Sequence, residues 1–144
     1  VTYANVLVPT DGSGGVQDSM TQALDLAELS GATVHGLYVV DESLRRRLTR
    51  AAFPGDELRV AGENAVASIE GAAHRAGLDA RTEIRRGDPA SAILDYVGEN
   101  DIDLVVMGTH GRTGAERAVL GSTTERVLHR ADVPVLVVHA TEHE

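Results

Sequence analysis

At 144 residues the chain is long enough for one domain with a real core, and with aromatics at 3% that core must be built from Val, Leu, Ile and Ala. A net charge of −9 with no basic stripe argues against a nucleic-acid partner, and the absence of cysteine excludes disulfide frameworks and thiolate metal sites. No apolar run approaches a membrane span and the N-terminus carries no signal-peptide pattern, so the expectation is a soluble, cytoplasmic protein with no membrane partner.

In chain order, ANVLVP (4–9) is a short apolar run closed by Pro9 and reads as a buried strand. Val16, Met20, Ala23, Leu24 and Ala27 recur at helical spacing, and Gly31 stops that helix. TVHGLYVV (33–40) is a second strand. Residues 41–56 are charged, contain Pro54-Gly55, and read as an excursion with a helical turn. Ala-rich 57–76 is a helix closed by Gly77. ARTEIRRG (80–87) is a more polar strand, hence nearer an edge. Asp88-Pro89 opens a helix in which Ala90, Ile93, Leu94 and Val97 share one face. IDLVVMG (102–108) is nearly continuous in apolar character and reads as a central strand. Leu120, Thr124, Val127, Leu128 and Ala131 mark a last helix, and PVLVVH (134–139) a last strand.

This alternation predicts one α/β domain over residues 1–144: an open, parallel five-stranded sheet with helices on both faces. Ligands of such sheets bind beyond the carboxyl ends of the strands, where the topology switches. The positions to inspect are therefore Pro9-Thr10-Asp11, Val39-Val40-Asp41, Arg86-Gly87-Asp88 and the segment from Gly108 onward.

Two segments are glycine-rich. TDGSGGVQDS (10–19) approaches the SGGxDS loop of pyrophosphate-releasing ATP enzymes but has one residue too many before Asp18. It also starts like a dinucleotide loop, yet Gln17 stands where the third glycine belongs. A plain strand-to-helix turn, with Ser13 or Asp11 as the cap, is the better account of these glycines. Asp11 also ends a central strand, where a carboxylate can accept hydrogen bonds from ribose hydroxyls. The second segment, MGTHGRTGAERAVLGSTTERV (107–127), reads as a helix start in which Ser122 is the N-cap and Glu125 completes a capping box. A helix N-terminus is also an anion site, because its free N–H groups and its dipole both favour negative charge. Gly108 and Gly111 would let a loop lie against the same anion, and Arg112 could add charge. All 13 basic residues are arginine. Without lysine there is neither a Walker A loop nor a protein-kinase strand lysine. Lysine absence beside 22 Asp plus Glu fits a halophile, and a GC-rich genome accounts for the arginine equally.

The spacing Gly108-x2-Gly111-x9-Gly121-Ser122 resembles the G-x2-G-x9-G-[ST] motif of the ATP-binding branch of the universal stress proteins. NVLVPTDGS, YVVD and ADVPVLVV are similar to that family's first strand and turn, second strand end and closing strand. The resemblance implies a Rossmann-like fold akin to the adenine nucleotide alpha hydrolases, and a nucleotide pose. Asp11 would hold the ribose, with Pro9 and Thr10 beside it, and the Val39 backbone would meet the adenine edge. Met107 and Gly108 would lie under the ribose and first phosphate. Gly111, Arg112, Gly121, Ser122 and Thr123 would surround the phosphate chain. Magnesium or manganese would ride on the phosphates, with no protein metal ligands. Gly14 and Gly15 depart from the helix formers expected in a first helical turn.

His139 and His143 stand four apart at the chain end and read as a solvated pair; His110 lies inside the motif with no nucleophile to pair with. No catalytic residue is assigned. The reading is an ATP-binding stress-response or regulatory protein, a nucleotide-dependent switch or chaperone-like partner, and a homodimer through the last strand with a protein partner yet to be named. The alternatives are a slow ATPase or self-phosphorylating enzyme in the same pocket, an AMP or cyclic-nucleotide sensor, and a structural dimer with a vestigial site.

Overall fold

The computed structural model describes residues 3–11, 16–42, 57–109 and 121–139. Its elements run β1 (Asn5–Thr10), α1 (Val16–Ser30), β2 (Thr33–Asp41), α2 (Glu57–Arg75), β3 (Ala80–Gly87), α3 (Pro89–Glu99), β4 (Leu104–Gly108), α4 (Ser122–Arg130) and β5 (Val135–Val138). The strands form one sheet in the order β3-β2-β1-β4-β5, and every neighbouring pair is parallel. The switch point lies between β1 and β4. The polar strand β3 is at one edge, as its sequence predicts, and β5 is at the other.

Strand alternation sorts the core into two layers. Val6, Val8, Val34 and Val106 face α1 and α2, meeting Met20, Ala23, Ala27, Ile69 and Ala73. Leu7, Leu37, Val39, Val105 and Met107 face α3 and α4, meeting Ala90, Ile93, Tyr96 and Val127. The aliphatic composition is thus used on both faces, the pattern of a parallel sheet buried on both sides. Leu128 departs from the sequence pattern: it is 38% exposed, and Thr124 and Val127 carry the buried stripe of α4.

Helix ends follow local chemistry. Gly31 and Gly77 take φ of +65° and +78°, and the amides of Ala32 and Leu78 reach back to the Ala27 and Ala73 carbonyls, closing α1 and α2. Asp101, at φ 53°, plays the same part after α3, where the Ile102 amide donates to the Val97 carbonyl. That closure is why the apolar run beginning at Ile102 is longer than β4: Ile102 is buried, but its N–H belongs to the helix end. Asp88 caps α3, with its carboxylate accepting from the Ser91 amide at 3.1 Å and Pro89 following it.

Candidate functional site at the sheet's carboxyl edge

The β1–β4 ladder ends at the switch point, where one residue cannot extend it. The Ala4 carbonyl accepts from the Thr33 amide and the Asn5 carbonyl from the Asp103 amide, so even residues of β1 turn their backbone toward β2 and odd residues toward β4. Pairing of β1 with β2 runs the full strand, from Asn5↔Thr33 to Thr10↔Tyr38. Pairing with β4 stops after Val6↔Leu104 and Leu7↔Val105. The next rung would draw its donor from residue 9, which is proline and has none. Beyond that rung, Val8–Thr10 and Val106–Gly108 continue without pairing to each other, while β4 stays joined to β5 through Gly108↔Val138. Pro9 therefore does more than end a run.

The two ends of the long glycine motif meet at this opening. The Gly121 amide donates to the Thr109 carbonyl at 2.6 Å, and the Thr109 amide donates to the Val138 carbonyl at 3.1 Å. Thr124 Oγ1 donates to the Gly108 carbonyl at 2.9 Å from a side chain that is 4% exposed. These bonds hold the start of α4 against the end of β4.

The capping box expected at Ser122 is not formed as predicted. Gly121 is the N-cap, with φ −62° and ψ 149°, and among the described residues no side chain caps the helix; Ser122 is the first helical residue. The first intrahelical bond runs from the Glu125 amide to the Gly121 carbonyl. The amides of Ser122, Thr123 and Thr124 precede that bond, so the helix itself supplies them no acceptor. The cause is the short tie to Thr109, which fixes Gly121 in the extended conformation a cap requires. That conformation is open to any L-residue, so Gly121 is not glycine for want of a left-handed backbone.

Of the residues singled out from sequence, Pro9, Thr10 and Asp11 lie at the end of β1, Val39 near the end of β2, Met107 and Gly108 at the end of β4, and Gly121, Ser122 and Thr123 at the start of α4. All share the carboxyl edge. The Val39 and Met107 side chains are buried against α3 and α4. Gly111 and Arg112 lie outside the described residues, as do Ser13, Gly14, Gly15, His110, Leu120, His143 and the excursion from residue 43 to 56.

Sequence reasoning missed three features. Thr124 appears there only as one apolar-face position; a hydroxyl on a buried helix stripe was the available signal. The second is Asp88, whose carboxylate is committed: Arg126 Nη1 and Nη2 donate to its two oxygens at 2.8 and 2.7 Å. With the Arg126 guanidinium beside it, Asp88 stays ionised well below the usual carboxylate range. The third lies at the opposite end of the sheet. His35 is 2% exposed, with Nε2 2.9 Å from Asn5 Oδ1 and Nδ1 2.7 Å from the Tyr96 hydroxyl. An amide oxygen only accepts, so Nε2 carries the proton and Nδ1 accepts from Tyr96. Arg85 lies over the Tyr96 ring at 4.9 Å and pairs with Glu99 at 2.8 Å.

An open parallel sheet wound with helices on both faces, its central ladder parted at the switch point, defines a Rossmann-like α/β protein. The universal stress protein family model matches residues 2–139, and the chain belongs to that family. It is 35% identical over 145 residues to a universal stress protein of Methanocaldococcus jannaschii, covering 99% of this chain and 85% of the relative. A solved structure of another M. jannaschii universal stress protein superimposes with a TM-score of 0.84 at 26% identity, covering 99% of this chain and 100% of the other. A universal stress protein solved in complex with cAMP superimposes with a TM-score of 0.73 at 26% identity, covering 98% and 100%.

Proposed function

We propose that the protein binds an adenine nucleotide, ATP in the first instance, at the carboxyl edge between β1 and β4, and acts as a stress-response regulator whose nucleotide state a partner reads. The observation that carries this is the approach of Gly121 to Thr109, which places the first-turn amides of α4 beside the parted ladder. Those amides, with the Ser122 and Thr123 hydroxyls, are donors suited to phosphate oxygens without a lysine. Asp11 and Thr10 take the ribose side, with Val39 offering its backbone to the base. Gly111 and Arg112 complete the phosphate side of the same reading. Magnesium or manganese enters on the phosphates, which supply the oxygen ligands such ions prefer. The cAMP complex of a family member supports the adenine nucleotide class and favours a second reading, a cyclic-nucleotide or AMP sensor.

Calorimetric titration separates the two. Each charge-assisted contact to an outer phosphate contributes about 1.5–3 kcal/mol in favourable cases, so Mg-ATP should bind well over tenfold tighter than AMP. Equal affinities transfer the function to the sensor reading. Mass identification of any nucleotide retained on native purification names the physiological ligand, and turnover by the pure protein tests the slow-ATPase alternative. The proposal extends to a cytoplasmic homodimer paired through β5, an edge strand of Val135–Val138 that a second copy would cover. Light scattering in high salt should return a dimer mass; a monomer at micromolar concentration refutes that part.

A further inference from the structure

Among the described residues, the ties that hold α4 to β4 lie on its sheet-facing side: the Gly121 amide, the Thr124 hydroxyl and the buried Val127. Ties along one side of a short helix fix its distance from the sheet but leave it free to rock about that line. Among the described residues, the polar tie from α4 sideways to α3 is the pair between Arg126 and Asp88, which adds to the packing of Val127. Arg126 stands one turn after Ser122, and Asp88 is the N-cap of α3, the helix packed beside α4. The contact is a two-pronged guanidinium–carboxylate pair, at 2.8 and 2.7 Å, and Asp88 Oδ2 also accepts from the Ser91 amide. Most exposed ion pairs contribute little, and the exceptions are bidentate pairs of this kind with a fixed carboxylate. Here the cap bond holds the carboxylate, so the anchor does not move with the arginine.

We infer that Arg126 is a positioning residue for the phosphate subsite: its clasp on Asp88 sets the angle at which the first turn of α4 presents the Ser122 and Thr123 amides to the ligand. The inference rests on the adenine-nucleotide reading and adds a determinant outside the glycine motif. Arg126 acts through Asp88 and does not touch phosphate. In the adenine-nucleotide reading the base and ribose rest on β1, β2 and the end of β4, strands that the clasp does not touch, so the clasp governs the phosphates and not the base or ribose.

The test is titration of wild type, Arg126→Met, Asp88→Asn and the double variant with Mg-ATP and, separately, with adenosine. Asparagine keeps the N-cap, since its amide oxygen still accepts from Ser91, but loses the ion pair. The expected result is a roughly three- to tenfold loss of Mg-ATP affinity in either single variant. Adenosine affinity should be unchanged, and the double variant no worse than a single one. If Arg126 instead touched phosphate directly, Asp88→Asn would free it and raise Mg-ATP affinity, overturning the proposal. Parallel loss of adenosine and Mg-ATP affinity overturns it too, because that marks general loosening of the fold. Should Arg126→Met fail to fold, Arg126→Lys keeps the charge without the two-pronged geometry and should show the same selective loss. A wild type that binds neither ligand refutes the nucleotide reading and this proposal with it; a wild type that binds both, with indifferent variants, refutes this proposal alone.

Discussion

The Thr124 hydroxyl donates to the Gly108 carbonyl across the gap between β4 and α4 at 2.9 Å, from a buried side chain to a half-buried residue. Replacement by valine keeps the shape and removes the donor. Thr124→Val should lower unfolding free energy by roughly 0.5–1.5 kcal/mol, because the half-buried Gly108 carbonyl loses this donor. Thr124→Ser, which retains the hydroxyl, should recover part of it. Urea denaturation of the pair decides; equal losses in both would assign the effect to packing.

Gly121→Val tests the close approach to phosphate. The backbone there, φ −62° and ψ 149°, accepts valine without strain, so the variant should fold. Valine is a poorer N-cap than glycine, and a loss of about 1 kcal/mol in stability is expected on that account. Mg-ATP binding should disappear while circular dichroism stays native. Retained wild-type affinity in the folded variant removes this loop from the site. Since Ser122 is the first helical residue and not the cap, Ser122→Ala should weaken binding through the missing hydroxyl with little change in melting temperature.

His35 makes the fold acid-sensitive. Burial lowers its pKa most, Arg81 lowers it further, and Asp103 opposes them. The folded protein therefore resists protonation that the unfolded chain accepts near 6.5. The contribution is complete above that pH and is lost as pH falls from about 6.5 toward the lower folded value. The difference in urea midpoint between wild type and His35→Leu should shift against wild type across that window. A difference that stays flat from pH 7 to pH 5 would show that His35 titrates alike in both states.

Gly62 in α2 lies against the ring of Tyr38, and a Cβ there would collide with it. Tyr38 is 2% exposed and has little room to give. Helix propensity alone would make Gly62→Ala stabilising by about 1 kcal/mol. Overpacking of roughly 1–3 kcal/mol should outweigh it. A raised melting temperature in Gly62→Ala would mean that α2 shifts freely over the sheet.

The amino-acid sequence by itself determined the elements and their order. The apolar runs, the helical spacing of Ala90, Ile93 and Val97, and the closures at Gly31 and Gly77 are local properties, and the structure places them where periodicity and turn chemistry put them. The glycine spacing from Gly108 to Gly121 was equally legible, because it is a pattern within one segment. Contacts between segments were decided by tertiary structure alone. The capping box at Ser122 satisfied every local rule, yet the Thr109 carbonyl claimed the Gly121 amide and made Gly121 the cap. Pro9 reads as a strand end until its missing donor is seen to face β4. Asp88 reads as a rim carboxylate until Arg126, 38 residues away, is found holding it. His35 sits in an ordinary strand pattern, and Asn5 and Tyr96 become its partners only when β1, β2 and α3 pack together. The Gly121 amide, the Asp88 carboxylate and the His35 ring each had several local options, and the choice fell to the distant partner that the packing of the sheet brought within hydrogen-bond range. For the buried His35 the reason is that a buried polar group left unpaired costs more than any local preference, and for the exposed Asp88 it is the two-pronged geometry that Arg126 offers.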